Sequence, residues 1–185
     1  MNVILLGIIA VGAAFGVVFF TVRRAQRRMP PLQLAPGESM PTTALQRSAR
    51  NTLLLASLIT VVAAGVVATH GAQVFWDNDS VRLTVTGLLI AALAVFTVYM
   101  GRVSMWMTRD DGTLDERDRA ILATAPAGTG PAMLVTLAVW MIGLTEAYQS
   151  THLVPSVYLY LIFWSCLMVN VLAQLAGVML GYRRQ

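Results

Sequence analysis

The side chains with the widest chemical reach are two histidines, His70 and His152, each at the edge of an apolar run. Asp77, Asp79 and Glu146 are expected on the same side of the membrane as the two histidines. Imidazole and carboxylate donors together can hold zinc or copper, and two histidines at one depth can ligate haem iron. Here the donors sit on separate stretches of chain and no paired motif joins them. Asp77-Asn78-Asp79 is a bare acid pair of a kind common on loops. The acids of Asp110-Asp111-Gly112-Thr113-Leu114-Asp115-Glu116-Arg117-Asp118-Arg119 are interleaved with arginines that would pair with them. The single cysteine, Cys166, makes neither an intrachain disulfide nor a CxxC site. Inside an apolar run it reads as a small packing residue. No HExxH, GxSxG, P-loop or CxxCH pattern occurs. These residues predict no catalytic group and no resident cofactor. A haem or metal site at His70 and His152 is the alternative.

The elements that would position these residues are apolar. Of 185 residues 57% are hydrophobic and 12% charged, with a mean hydropathy of +0.68. A soluble domain carries about a quarter charged residues. The apolar residues form five runs, 3–22, 51–70, 81–101, 131–148 and 155–182. At 1.5 Å per residue, about 20 residues cross the roughly 30 Å hydrocarbon layer. The fifth run is longer than that and should tilt or protrude. The fourth is the shortest and the weakest span. The first has no charge before it, and Arg23, Arg24, Arg27 and Arg28 follow. A cleaved signal peptide has the reverse order, so this run reads as a retained anchor.

Orientation follows from the basic residues. The net charge is +4, and all thirteen basic residues are arginines. With the N-terminus outside, inner loops 23–50 and 102–130 and the C-terminal end hold every arginine but Arg82. That asymmetry satisfies the positive-inside rule and removes nucleic acid as the reason for the basic pI. The expected fold is all-α. It is a polytopic integral membrane protein, one domain of five transmembrane helices, N-terminus out and C-terminus in, in a bacterial cytoplasmic (inner) membrane. Tyr158, Tyr160 and Trp164 fit an outer aromatic belt.

Two inner segments carry helix signals. Thr43 with Gln46 fits a capping box, as does Thr113 with Glu116. The second begins a short amphipathic helix at the inner surface, with Leu114, Ile121, Leu122 and Ala125 on one face, charges opposite, and Pro126 and Gly128 as its stop. It is a capped connector or a docking surface. Residues 114–121, reading LDERDRAI and followed by two closing membrane runs, resemble small bacterial membrane proteins of unknown function with a DER(D/E)-type motif between helices. That resemblance implies a topology and no active site.

The remaining signals are helix faces. In the fifth run Asn170 and Gln174 share a side with Gly177 and Gly181, and Ala173, Gly177 and Gly181 make a small-xxx-small ladder. Gly12 and Gly16 make a GxxxG in the first run. Small residues let helix backbones approach, and amides hydrogen-bond across the contact. These faces predict packing within the chain or against other integral membrane proteins. The expected function is a non-enzymatic accessory or assembly subunit of a membrane complex, with no soluble substrate. The alternatives are the redox or metal-binding protein and a small transporter or sensor.

Reporter fusions test the topology. Fusions after Arg28, Gly112 and Arg184 should report cytoplasm, and one after Asp77 should report the outside. A cytoplasmic signal at Asp77 would end the five-span, N-out arrangement.

Overall fold

The computed structural model describes residues 20, 24, 42–108, 114–151 and 153–182. Gly12, Gly16 and the rest of the first run, apart from Phe20, lie outside the described residues, as do Thr113, His152, Arg183 and Arg184. The described chain is helical, with no strand among the described residues. Its elements are α1 (Ala44–His70), α2 (Ala72–Asp77), α3 (Asp79–Thr108), α4 (Glu116–Thr124), a 3-10 turn (Ala125–Gly128), α5 (Thr129–Tyr148) and α6 (Val157–Tyr182). Four stretches are long and apolar enough to cross a membrane: α1, α3, the run from α4 through α5, and α6. The fold is that of a polytopic membrane protein.

Local signals explain most boundaries. Thr43 is the N-cap of α1, and its hydroxyl accepts from the Gln46 amide at 3.2 Å. Gly71 ends α1 with φ +77, a left-handed backbone that glycine adopts without strain. The expected ten-residue connection after His70 is instead mostly the short helix α2, whose Phe75 is fully buried. The third run extends beyond its expected end at 101, because α3 continues helically to Thr108. At 30 residues it is about 45 Å long and outreaches the hydrocarbon layer. The expected cap of the inner helix also moves. Asp115 is the N-cap of α4, accepting from the Asp118 amide at 2.6 Å. Pro126 and Gly128 end α4 but do not open a loop; the 3-10 turn bends the chain straight into α5.

α6 is the central helix. Half of its apolar window is buried within the chain, against 17% for α1. Leu45 and Ala49 of α1, Tyr99 and Val103 of α3, and Ile121 of α4 meet Leu172, Leu175 and Val178 of α6 at the arginine-rich end. At the opposite end Phe75, Val85, Leu89 and Trp140 surround Val157, Tyr158 and Met168. α5 packs beside α6 through Ala132 against Val169 and Ala173. Helices in lipid gain little from apolar burial as such, so close packing and polar contacts hold them.

Backbones approach closely at Gly177. A Cβ built there would overlap the Ala125 carbonyl oxygen and lie 3.1 Å from the Ala125 Cα. Backbone cannot swing away as a flexible side chain can. Gly177→Leu should therefore lower the melting temperature of the isolated protein, at a cost of about 1–3 kcal/mol or more. Gly65→Leu, where an added Cβ meets nothing within 4 Å, is the matched control. Equal melting of the two variants would remove the contact as a stabilising feature.

Candidate functional site

The main polar constellation among the described residues joins three elements at the arginine-rich end. Asp118 on α4 is 1% exposed. The Tyr182 hydroxyl, at the end of α6, donates to its Oδ1. The Thr43 hydroxyl, at the start of α1, lies 3.2 Å from the same oxygen and 2.9 Å from the Tyr182 hydroxyl. Tyr182 gives its proton to Asp118, so the single Thr43 proton is shared between carboxyl and phenol oxygens. The Thr43 oxygen also accepts from the Gln46 amide. One side chain thus caps α1 and ties it to α4 and α6. The Arg117 guanidinium lies over the Tyr182 ring, 5.2 Å from its centroid.

This arrangement corrects the expectation for the inner helix. Leu114 and Ile121 are buried at 4% and 1%, and Leu122 is half-buried. They sit in a cluster with α1 and α6, so the helix seals the bundle end instead of lying on lipid by that face. Asp118 does not belong to the solvated charged side. It falls on the buried stripe with Leu114, Ile121 and Ala125, spaced four, three and four residues apart. That spacing was the available signal. Hydroxyls from two other helices satisfy the carboxyl group, a necessity for a buried acid. Among the described residues its contacts tie α1, α4 and α6 together.

At the opposite end aromatic residues join helices instead of only facing lipid. The Tyr148 hydroxyl donates to the Tyr158 hydroxyl at 2.9 Å, and Trp140 Nε1 donates to Ser165 Oγ at 2.9 Å. The Tyr160 hydroxyl lies 2.7 Å from Thr86 Oγ1, and its ring stands against Phe75 and Trp76. Arg82 is neutralised locally. It pairs with Asp79, donates to the Trp76 carbonyl at 2.6 Å and lies over the Trp76 ring.

The other candidates are placed as follows. His70 is exposed, and its Nδ1 donates to the Val66 carbonyl at 2.9 Å. Among the described residues no group of three or more His, Cys, Asp or Glu side chains could hold a metal ion; His152, the second histidine of the redox or metal alternative, lies outside them. Cys166 is a free buried thiol. On α6, Ala173, Gly177 and Gly181 are buried within the chain. Asn170 and Gln174 are only half-buried, and among the described residues no hydrogen bond satisfies either amide. Phe163, on the same side, is 60% exposed. That face is covered by the 3-10 turn at Gly177 and open above it.

Sequence reasoning missed a face on α3. Thr84, Gly87, Ala91, Ala94, Val98 and Gly101 recur at alternating spacings of three and four residues, and all are exposed. A Cβ added at Gly87 or Gly101 meets nothing within 4 Å. This is a heptad pattern of small residues, the spacing of a left-handed helix crossing. Its signal in the sequence is the three-and-four spacing, which a GxxxG pair does not contain.

Removing the buried acid should loosen the bundle end. Asp118→Ala leaves the Tyr182 and Thr43 hydroxyls without their shared acceptor, a cost of about 1–3 kcal/mol. Faster hydrogen exchange across α4 is the expected readout, with a smaller effect in Tyr182→Phe. Unchanged exchange in Asp118→Ala would show that the cluster holds nothing together. No family model, no curated protein and no solved structure matches this chain, so its functional reading rests on these contacts.

Proposed function

We propose that this protein is a non-enzymatic accessory or assembly subunit that binds another integral membrane protein through a transmembrane helix face. The observation that carries the reading is the exposed stripe of Thr84, Gly87, Ala91, Ala94, Val98 and Gly101 on α3. A partner helix laid there approaches backbone to backbone, since Gly87 and Gly101 leave open space. Dispersion summed over that close contact is what drives helix association in lipid. The half-exposed Asn170 and Gln174 add a second contact with unmet hydrogen-bonding capacity, which is costly in hydrocarbon.

In this reading the arginine-rich end faces the cytoplasm of a bacterium. The first run supplies a fifth span, so the N-terminus lies outside and the C-terminus inside. The described part acts as a preformed scaffold, closed at its cytoplasmic end by α4 and open along α3. It performs no chemistry, since its one buried acid is consumed by Thr43 and Tyr182.

Site-specific photocrosslinking in native membranes tests the reading. A benzophenone side chain at Met105, an exposed position continuing the stripe, should yield one defined protein adduct. The same group at Met141 on α5, 70% exposed, should yield lipid adducts only. Gly87→Leu combined with Gly101→Leu should abolish the protein adduct and leave the melting temperature of the isolated protein unchanged. Lipid adducts alone at Met105 would defeat the proposal.

A further inference from the structure

A cleft of about 300 Å³ opens between α1 and α3 at the arginine-rich end. Arg47, Ser48, Asn51 and Thr52 line it from α1, and Arg102 and Trp106 line it from α3. Two guanidinium groups therefore face one cavity from two helices, and no carboxylate lines it. Among the described residues neither arginine has an ion-pair partner. Thr52 is only 9% exposed. Thr60, Thr84 and Thr97 turn their hydroxyls back to the carbonyl four residues earlier. Thr52 does not, and among the described residues its hydroxyl has no partner. The lining thus offers many donors and a charge of two, with few competing acceptors.

Such a lining selects an oxyanion with several acceptor oxygens. The planar guanidinium fork matches phosphate in a bidentate fashion, more specifically than a point charge would. The surroundings above the cleft select further. Leu55 lies one turn beyond Asn51 on the same side of α1 and is 45% exposed. An apolar track therefore leads from the cleft toward the bilayer interior. Trp106 stands at the polar boundary, where its ring is suited to headgroup depth.

We propose that this cleft is a phosphate-oxyanion site that seats the headgroup of an anionic phospholipid, with its acyl chains along Leu55. Basic pockets between membrane helices on the cytoplasmic side hold such headgroups by the same chemistry. The lipid fills the open end of the α1–α3 groove and meets the unpaired Thr52 hydroxyl.

Purified full-length protein in detergent provides the test. Phosphatidylglycerol, phosphatidylcholine and inorganic phosphate are titrated separately, with bound lipid counted by native mass spectrometry and thermal melting followed in parallel. Phosphatidylglycerol should bind in preference to phosphatidylcholine, and its affinity should fall about 30-fold in Arg47→Gln/Arg102→Gln. Arg47→Lys/Arg102→Lys should lose less, because charge remains and only the fork is gone. Arg50→Gln/Arg119→Gln removes the same charge from the same end outside the cleft and should change binding less than threefold. Both cleft arginines are exposed, so circular dichroism of the double variant should match the parent. Thermal stabilisation by millimolar inorganic phosphate alone, lost in the double Gln variant, with equal binding of the two lipids, would keep the oxyanion site but assign it to a soluble phosphate compound. Equal phosphatidylglycerol binding by parent and double Gln variant, with no response to inorganic phosphate, overturns the site.

Discussion

The fold depends on the approach of α6 to the carbonyl of Ala125 at Gly177. In water a helix pair is driven together by the apolar area it removes from solvent. In lipid that term largely vanishes, and contact must be won by dispersion and geometry. Backbones meet closely where one partner has no side chain. This contact fixes the 3-10 turn against α6 and so sets the direction in which α4 and α5 leave it. With α4 so placed, Leu114, Asp118, Ile121 and Ala125 face the bundle, and Asp118 comes beneath Thr43 and Tyr182. A larger residue at Gly177 would displace the turn, and the polar cluster would move with it.

Polar groups within the bundle contribute register more than energy. Interhelical hydrogen bonds in membranes average about 0.6 kcal/mol, so the bonds Trp140 to Ser165, Thr86 to Tyr160 and Tyr148 to Tyr158 would add up to about 2 kcal/mol. Each nonetheless joins different helices or the two ends of one hairpin, and a one-residue slip would break it. The buried Asp118 is different in scale. An acid without partners in that environment costs several kcal/mol, so its two hydroxyl contacts are a condition of its presence. Tyr99 shows what an unmet group looks like here. Its hydroxyl is the buried side-chain polar atom left without a partner among the described residues.

Hydropathy made the apolar spans legible, because a bilayer demands long apolar helices and little else produces them. Thr43 was legible as a cap, since its oxygen serves an amide three residues on and the contact is local. The buried face of the inner helix was legible in Leu114 and Ile121, but the reading of Asp118 failed. Charge usually marks exposure on a helix, but the register of Asp118 with Leu114, Ile121 and Ala125 points inward. The partner hydroxyls are 75 and 64 residues away, and no local pattern announces a contact at that separation. The extension of α3 to Thr108 was missed for a similar reason. Arg102 and the polar residues after it end a hydropathy run but do not end a helix, whose backbone bonds continue past the membrane edge.

The exposed surfaces of α3 and α5 argue against a uniform lipid-facing exterior. On α5 the large outward residues are Leu134, Leu137, Met141 and Ile142, with the smaller Ala138, Thr145 and Ala147 also exposed. On α3 the stripe of Gly87, Ala91, Ala94 and Gly101 runs between the exposed larger residues Leu83, Ile90 and Val98. Acyl chains can lie against either, but they gain more contact from a surface of long side chains. A groove lined by Gly87, Ala91 and Gly101 holds few side-chain atoms of its own, and a mobile lipid tail must lose chain entropy to fill it. A second helix is already ordered and loses less. In the proposed reading, side-chain size along the α3 stripe is what suits that surface to a helix more than to lipid.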